Sequence, residues 1–437
     1  MIKIFLVIGL IFFFNSASFS QAKIGLAIPL MKNSDNAEEK KLGEQMVKGI
    51  QDALNDYNAS QPGKKITLIL EDTKRDQSAT LKIINKFVSD SSVIAIFGPV
   101  FSSELINNAG APAFHKIPLI TPTATQNFLA ENNPYVFQLN PTYDIRGRIM
   151  ARYAMDELGM KNFAILSEET YGKNFADSFT DEVLKSGKTV IFTKYYAKDK
   201  TDLSDELKEL KNKIFENEKF LDFGNMKTAE IEKLSRINLK FSYLDSLVKE
   251  KLVVSIYKLL GNRAGKILDS LGIQISANFP DSRSYIPGIA DAIYIPVSGS
   301  GEIRNIIPQY FSENLNLPVL GTSDWNNLKV LNDNKMYIKQ LYFDSDFYID
   351  EKTGKDFAKS EEADIKNYYF GYDGMKLILS KISEGNNTRE SLNNALENAR
   401  DFKAVHNTVT IKDRTNHEMS IMSFRNGKSE KIKDFVY

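Results

Sequence analysis

The sequence predicts an α/β protein of two similar lobes, and three observations carry the prediction. Short β-branched runs alternate with amphipathic helical stretches through the first half of the chain, the pattern of a parallel sheet with right-handed crossovers and helices on both faces. The same rhythm restarts at Phe163 and resumes at Ala292, so two copies of one unit are the simplest account. Five segments, at 98–104 (GPVFSSE), 120–125 (ITPTAT), 168–179 (EETYGKNFADSF), 293–302 (IYIPVSGSGE) and 320–327 (LGTSDWNN), fall where parallel strands should end. Ligands of open α/β sheets bind outside the carboxyl ends of the strands, so hydroxyl-rich segments there read as a site for something small.

In chain order, Ile24–Leu30 is the first predicted strand, and Leu42, Met46, Ile50, Ala53, Leu54 and Tyr57 fall on one face of the helix after it. Strand Ile66–Glu71 follows, then a helix through Ile83, Ile84 and Phe87, strand Val93–Phe97, a helix from Ser103 and strand Pro118–Thr121. The second unit reads as strand Phe163–Leu166, helix Asn174–Leu184, strand Val190–Thr193, helix Leu203–Leu210, and strands Ala292–Pro296 and Pro318–Leu320. Between Leu210 and Ala292 the rhythm breaks. Ile231, Leu234, Ile237, Phe241, Leu244 and Val248 recur at three-to-four spacing, and Val253, Ile256, Tyr257 and Leu260 carry the stripe on. Residues 213–287 therefore read as a helical insertion of two or three helices, whose apolar stripe packs on its own lobe or meets a partner protein.

At the N-terminus, Lys3 precedes an apolar run from Ile4 to Phe14 and then the small-residue stretch Asn15-Ser16-Ala17-Ser18-Phe19-Ser20. This reads as a secretory signal peptide over residues 1–20; a membrane anchor is the alternative, but the run is shorter than the roughly 20 residues a span requires. The chain has no cysteine, which removes lipid attachment at a lipobox, disulfides and thiolate metal sites. The expectation is a soluble periplasmic protein, exported and not lipidated. A content of 42% hydrophobic and 11% aromatic residues is ample for two cores. Lys plus Arg equals Asp plus Glu at 56 each, so nothing recommends a nucleic-acid or acidic-membrane partner. The three histidines, His115, His406 and His417, are scattered, and neither a Gly-x-Ser-x-Gly elbow nor a phosphate loop is present. Glu168-Glu169, and Asp72 and Asp76 around Lys74-Arg75, read as solvated turns. No catalytic residue, metal or cofactor is expected.

Together the segments resemble the type I periplasmic solute-binding proteins, in particular the branch that binds leucine, isoleucine and valine for ABC transporters. GPVFSSE is similar to that family's Gly-x-x-x-Ser-Ser turn, ITPTAT to its Ser/Thr-Pro-x-Ala-Thr segment, TYGKNFADSF to its Tyr-Gly helix start, and YYFGYDGMKLI at 368–378 to a helix that returns to lobe one. The resemblance implies two Rossmann-like lobes joined by a three-segment hinge. Crossings are implied near Asn140–Tyr143, Tyr342–Ser345 and Thr408–Lys412, with lobe one at 21–140 plus 345–408 and lobe two at 141–344 plus 409–437. It also implies a small, amino-acid-like ligand held in the interlobe cleft for an ABC permease. Ser102 and Ser103 would supply donors to a carboxylate, though two serines opening a helix also read as plain capping. Thr123, Ala124 and Thr125 occupy positions where the family uses a carbonyl for the ammonium and a threonine for the carboxylate. Tyr171 would cover the ligand, and Gly172 would permit a close backbone approach or a positive φ.

The match departs from the family's pattern where specificity is set. Ser323 stands on the position of the family's ammonium-binding acid, with Asp324 next to it. Asp324 can pair with the ammonium if it points into the cleft. Trp325, the chain's only tryptophan, either walls the pocket or packs over the strand end. Ser298-Gly299-Ser300-Gly301 replaces an aromatic, which makes Ser298 a candidate polar contact. Ala290–Pro296, Ile306-Ile307-Pro308 and LGTSDWNN also resemble the binding-protein-like domains of periplasmic activators of peptidoglycan synthases, which implies an envelope protein as the alternative partner.

Overall fold

The computed structural model describes residues 22–437 except 63–64, 217, 238, 276–284, 351 and 354–361, so the predicted signal peptide at 1–20 lies outside the described residues. Lobe one begins with β1 (Lys23–Ile28), α1 (Ala37–Ser60), β2 (Thr67–Asp72), α2 (Gln77–Ser89) and β3 (Val93–Phe97). Two short helices, α3 (Ser102–Leu105) and α4 (Gly110–Phe114), precede β4 (Leu119–Thr121) and β5 (Val136–Gln138). The helices start where capping chemistry is present. The Asn36 side chain accepts from the Glu38 amide at 3.0 Å ahead of α1, and Asp76 accepts from Ala79 at 2.7 Å ahead of α2. Met46, Ile50, Ala53, Leu54 and Tyr57 of the predicted stripe are buried against the sheet. Asp72 is no solvated turn residue: its carboxylate accepts from the amides of Leu30, Met31, Lys32 and Lys74 at 2.9–3.2 Å.

Lobe two repeats the plan with α5 (Tyr143–Arg152), β6 (Asn162–Glu168), α6 (Tyr171–Lys185), β7 (Thr189–Tyr196) and α7 (Ser204–Phe215). After the insertion come β11 (Ala292–Tyr294), α12 (Ser300–Ser312), β12 (Val319–Gly321), α13 (Leu328–Asp333) and β13 (Leu341–Ser345). The parallel strands of lobe one lie in the order β2-β1-β3-β4-β5, and those of lobe two in the same order, β7-β6-β11-β12-β13. The carboxyl ends of both sets face the cleft, as the sequence implied.

The insertion contains the predicted helices and also a three-stranded sheet that periodicity did not reveal. Its strands are β8 (Phe220–Asp222), β9 (Val253–Ser255) and β10 (Tyr285–Ile286); its helices are α8 (Thr228–Ser235), α9 (Phe241–Lys249), α10 (Ile256–Leu260) and α11 (Ala264–Leu271). Val253 belongs to a strand because a short β-branched run cannot be told from a helix segment by spacing alone. Leu234, Leu244, Leu247, Val254 and Leu268 form the insertion's own core, so its stripe is covered mainly by itself. Glu218 staples the base, accepting from the amides of Gly288 and Ile289 at 2.6 Å each. The insertion runs from α7 to the start of β11, at the amino ends of the lobe-two strands and so at the pole away from the cleft.

The first crossing lies between β5 and α5. Tyr342–Ser345 is still inside the second sheet, paired with β12 and with β18 (Glu418–Arg425), and the chain leaves only after Ser345. It enters lobe one as α14 (Glu362–Ser383), which packs along α1 at Gly49 and Gly371, where an added Cβ would run into the backbone of the facing helix. Next come α15 (Arg389–Glu397), β14 (Phe402–Lys403), β15 (Thr408–Val409), β16 (Ile411–Lys412) and β17 (Thr415–Asn416). Thr408–Lys412, the third implied crossing, lies within lobe one: β16 pairs with β17, and β17 with β5. The chain crosses at His417 into β18 (Glu418–Arg425) and β19 (Lys428–Val436), which close the edge of the second sheet. His406 is structural, stacked on Phe347 at 5.6 Å with Nδ1 bonded to Asp373 at 2.5 Å.

Candidate ligand-binding cleft

A cleft of about 460 Å³ opens between the lobes, a size suited to a small organic ligand. Of the residues singled out in the sequence, Ser102, Ser103, Thr123 and Thr125 line it from lobe one, and Tyr171, Ser323 and Asp324 from lobe two. Ala124 and Ser298 do not line it. Ala124 is buried in lobe one and its carbonyl accepts from Gln138 Nε2 at 3.1 Å, so that oxygen is committed to the core. Ser298 is exposed and donates through its amide, at 3.0 Å, and its hydroxyl to Glu302, capping α12.

The lobe-one wall is set by local hydrogen bonds. Gly98 sits at φ +97°, packed on the Ala27 carbonyl, where a side chain has no room. Buried Glu104 accepts from the Phe101 amide at 3.0 Å and fixes the serine turn; burial raises its pKa. Ser102 Oγ accepts from the amides of Thr125 and Gln126 at 3.1 and 3.2 Å, tying the two predicted segments together. Its own O–H remains as a donor to the cleft. Thr123 donates to the Val100 carbonyl at 2.7 Å, whereas the Thr125 hydroxyl has no partner among the described residues.

Opposite, Glu168 caps α6. It is buried, not solvated, and accepts from the amides of Thr170, Tyr171 and Gly172 at 2.6–3.1 Å. Burial alone would raise its pKa, but the Thr170 hydroxyl and these amides hold the carboxyl below the usual range. Gly172 serves a close approach: a Cβ there would meet the Ser167 hydroxyl at 2.7 Å and the Pro296 carbonyl at 3.1 Å. The Tyr171 ring stands edge-on to Tyr143 at 5.1 Å, and burial together with Asp324 drives its hydroxyl pKa upward. Trp325 packs in the lobe-two core over Gly321 and donates to the Ile295 carbonyl at 2.9 Å, so it does not wall the interlobe cleft.

The floor holds an ionic network that sequence reasoning missed. Arg146 on α5 is buried and uses its whole fork: Nε to the Pro141 carbonyl at 3.0 Å, Nη1 to Ser323 Oγ at 3.1 Å, and Nη2 to Asn140 at 2.7 Å and Asp346 at 3.3 Å. Asp346 also accepts from Asn140 Nδ2 at 3.1 Å and from Lys366 Nζ of α14 at 2.7 Å. Ser323 donates to buried Asp344 at 2.7 Å, whose second oxygen has no hydrogen-bond partner among the described residues. Burial pushes the Asp344 carboxyl up to about 7, with Arg146 and Ser323 pulling only partly against it. Asp346 is also buried, yet Lys366 and Arg146 hold its carboxyl well below the ordinary range. Asp324 lines the cleft half-buried with no hydrogen-bond partner among the described residues, and desolvation raises its carboxyl to about 6 against the pull of Arg146 and Lys366.

Residues 22–214 match the family described as Periplasmic binding protein. The Leu/Ile/Val-binding protein homolog 8 of Brucella suis is 26% identical over 185 residues, 39% of this chain and 45% of that protein. The match therefore spans under half the length of the curated relative. The crystal structure of a putative branched-chain amino acid ABC transporter from Rhodospirillum rubrum superimposes over 94% of this chain and 100% of that one, with 15% identity and a TM-score of 0.66. The branched-chain amino acid transporter substrate binding protein LivJ from Streptococcus pneumoniae, in complex with isoleucine, covers 96% of this chain and 99% of its own, with 17% identity and a TM-score of 0.54. Two lobes of one topology around a lined cleft define the type I periplasmic binding protein fold. Within that fold, the chain resembles the branch of receptors for leucine, isoleucine and valine.

Proposed function

We propose that this protein is an exported receptor that captures a small zwitterion, an amino acid, between its lobes and delivers it to an ABC-type importer. One observation carries the reading: the two walls have opposite chemistry. Lobe one offers donors, the Ser102 and Thr125 hydroxyls, while lobe two offers the Asp324 carboxylate, which has no hydrogen-bond partner among the described residues. A carboxylate facing the first wall and an ammonium facing the second would satisfy both, the charged end as a charge-assisted contact. Export rests on the apolar N-terminal run, and among the described residues no helix is long and apolar enough to cross a membrane.

A thermal-shift screen of the protein lacking residues 1–20 against the twenty amino acids tests this. A ligand at a hundred times its dissociation constant should add roughly 2.7 kcal/mol of stability, and the combined Ser102→Ala and Thr125→Ala change should remove the shift. Undiminished binding by that double variant would displace the assigned site. The insertion, with its own core at the pole remote from the cleft, favours a second reading as an envelope-interaction protein. Protein free of bound ligand that responds to no amino acid would support that reading instead.

A further inference from the structure

We infer that the ligand is a neutral zwitterion whose side chain ends in an amide or hydroxyl, read at the cleft floor by Lys366 and Asn367, and is not a branched aliphatic amino acid. The inference rests on the zwitterion reading above and names the class within it. Asn140, Arg146 and Asp346 are buried at the floor and engaged chiefly with one another. Lys366 is different: one of its three N–H donors goes to Asp346 at 2.7 Å, its side chain is 35% exposed, and it lines the cleft. Asn367 beside it lines the same space, and its side-chain amide has no partner among the described residues. A side-chain carbonyl can accept from the Lys366 ammonium while its NH₂ pairs with the Asn367 amide.

An alkyl side chain satisfies neither group. Lobe closure over it would strip water from Lys366 and Asn367 and give nothing back, and a site built to hydrogen-bond discriminates strongly against ligands that cannot do so. Part of the cleft's apolar surface lies at the rim. Leu42 and Phe101 face the rim, where a neighbouring hollow of about 370 Å³ shares them with Glu38, Glu39 and Arg75. Phe370, the ring nearest Lys366, has that ammonium over its face at 5.5 Å. The charges around the cleft also balance, Arg146 and Lys366 against Asp346 and Asp324, which favours a ligand without net charge.

Calorimetric titration of glutamine, asparagine, serine and threonine against leucine, isoleucine and valine tests the assignment. The polar set is expected to bind at least about tenfold more tightly. Lys366→Met should erase that preference, lowering the affinity for glutamine and asparagine far more than that for leucine. Because Lys366→Met removes a partner of Asp346, Asn367→Leu gives an independent variant with the same expected direction. Tighter binding of the branched set overturns the inference and leaves the amino-acid reading standing, whereas no binding by any amino acid overturns both. Tightest binding of glutamate or aspartate overturns the neutral class, and a preference that survives both variants overturns the two assigned readers.

Discussion

The two lobes share one strand order, yet they contribute different chemistry to the cleft. Lobe one presents hydroxyls and amides held by short-range bonds: Ser102 to Thr125 and Gln126, Thr123 to Val100, Phe101 to Glu104. Lobe two and the crossings present ionisable groups, Arg146, Asp324, Asp344 and Asp346, brought together from positions 200 residues apart in the case of Arg146 and Asp346. Topology fixes where a site lies and leaves its chemistry to the residues grafted there. The insertion sharpens the contrast, since only lobe two carries one and it sits at the end the cleft does not use.

The largest expected effect separates the ionic floor from the hydroxyl wall. Arg146→Met would leave Asp346 and Asp344 short of their counter-charge, which should cost about 3–5 kcal/mol in urea unfolding. A loss below about 1 kcal/mol would mean that the floor is held together by something other than this guanidinium. Asp324→Asn should act on binding and spare the fold. Affinity for the zwitterion should fall roughly 10- to 100-fold, the worth of one hydrogen bond to a charged group. The free protein should keep or slightly raise its stability, because burial already works against that carboxylate.

A smaller effect distinguishes the two buried acids by pH. Asp344, with its carboxyl near 7 in the fold and about 3.9 when unfolded, keeps a proton in the folded state that the unfolded chain has released. Its contribution therefore weakens as pH rises from about 4 to 7. Asp346 has the opposite sign: its depressed pKa gives stabilisation that is complete above about 4 and lost as pH falls further. Asp344→Asn should flatten the decline between pH 5 and 7 by about 2 kcal/mol. An identical slope in variant and parent would remove Asp344 as its source.

Much of lobe one was legible in the sequence because its signals are local. The helix stripe from Met46 to Tyr57, the strand at Val93–Phe97 and the hydroxyl turns all depend on neighbours within a few residues. Ala124 and Ser298 were misplaced for a reason that spacing cannot expose: each carries the right group, but Gln138 and Glu302 engage it first. The ionic floor was invisible for the opposite reason, since its members come from separate elements. A faint signal did exist in LYFDSDF at 341–347, where two acids alternate along an apolar strand end, and in Arg146 one turn after Tyr143 on the helix that leaves the first crossing. Glu168 looked like a loop acid until the amides of α6 were seen to converge on it.

The central claim is the opposed polarity of the cleft walls, and the crystal structure of the protein with a bound amino acid tests it most directly. The α-carboxylate is expected against Ser102 and Thr125, the α-ammonium within hydrogen-bond distance of Asp324, and the side chain directed at Lys366 and Asn367. An amino acid bound with its ammonium turned toward the lobe-one hydroxyls, or bound away from Asp324 altogether, would contradict it.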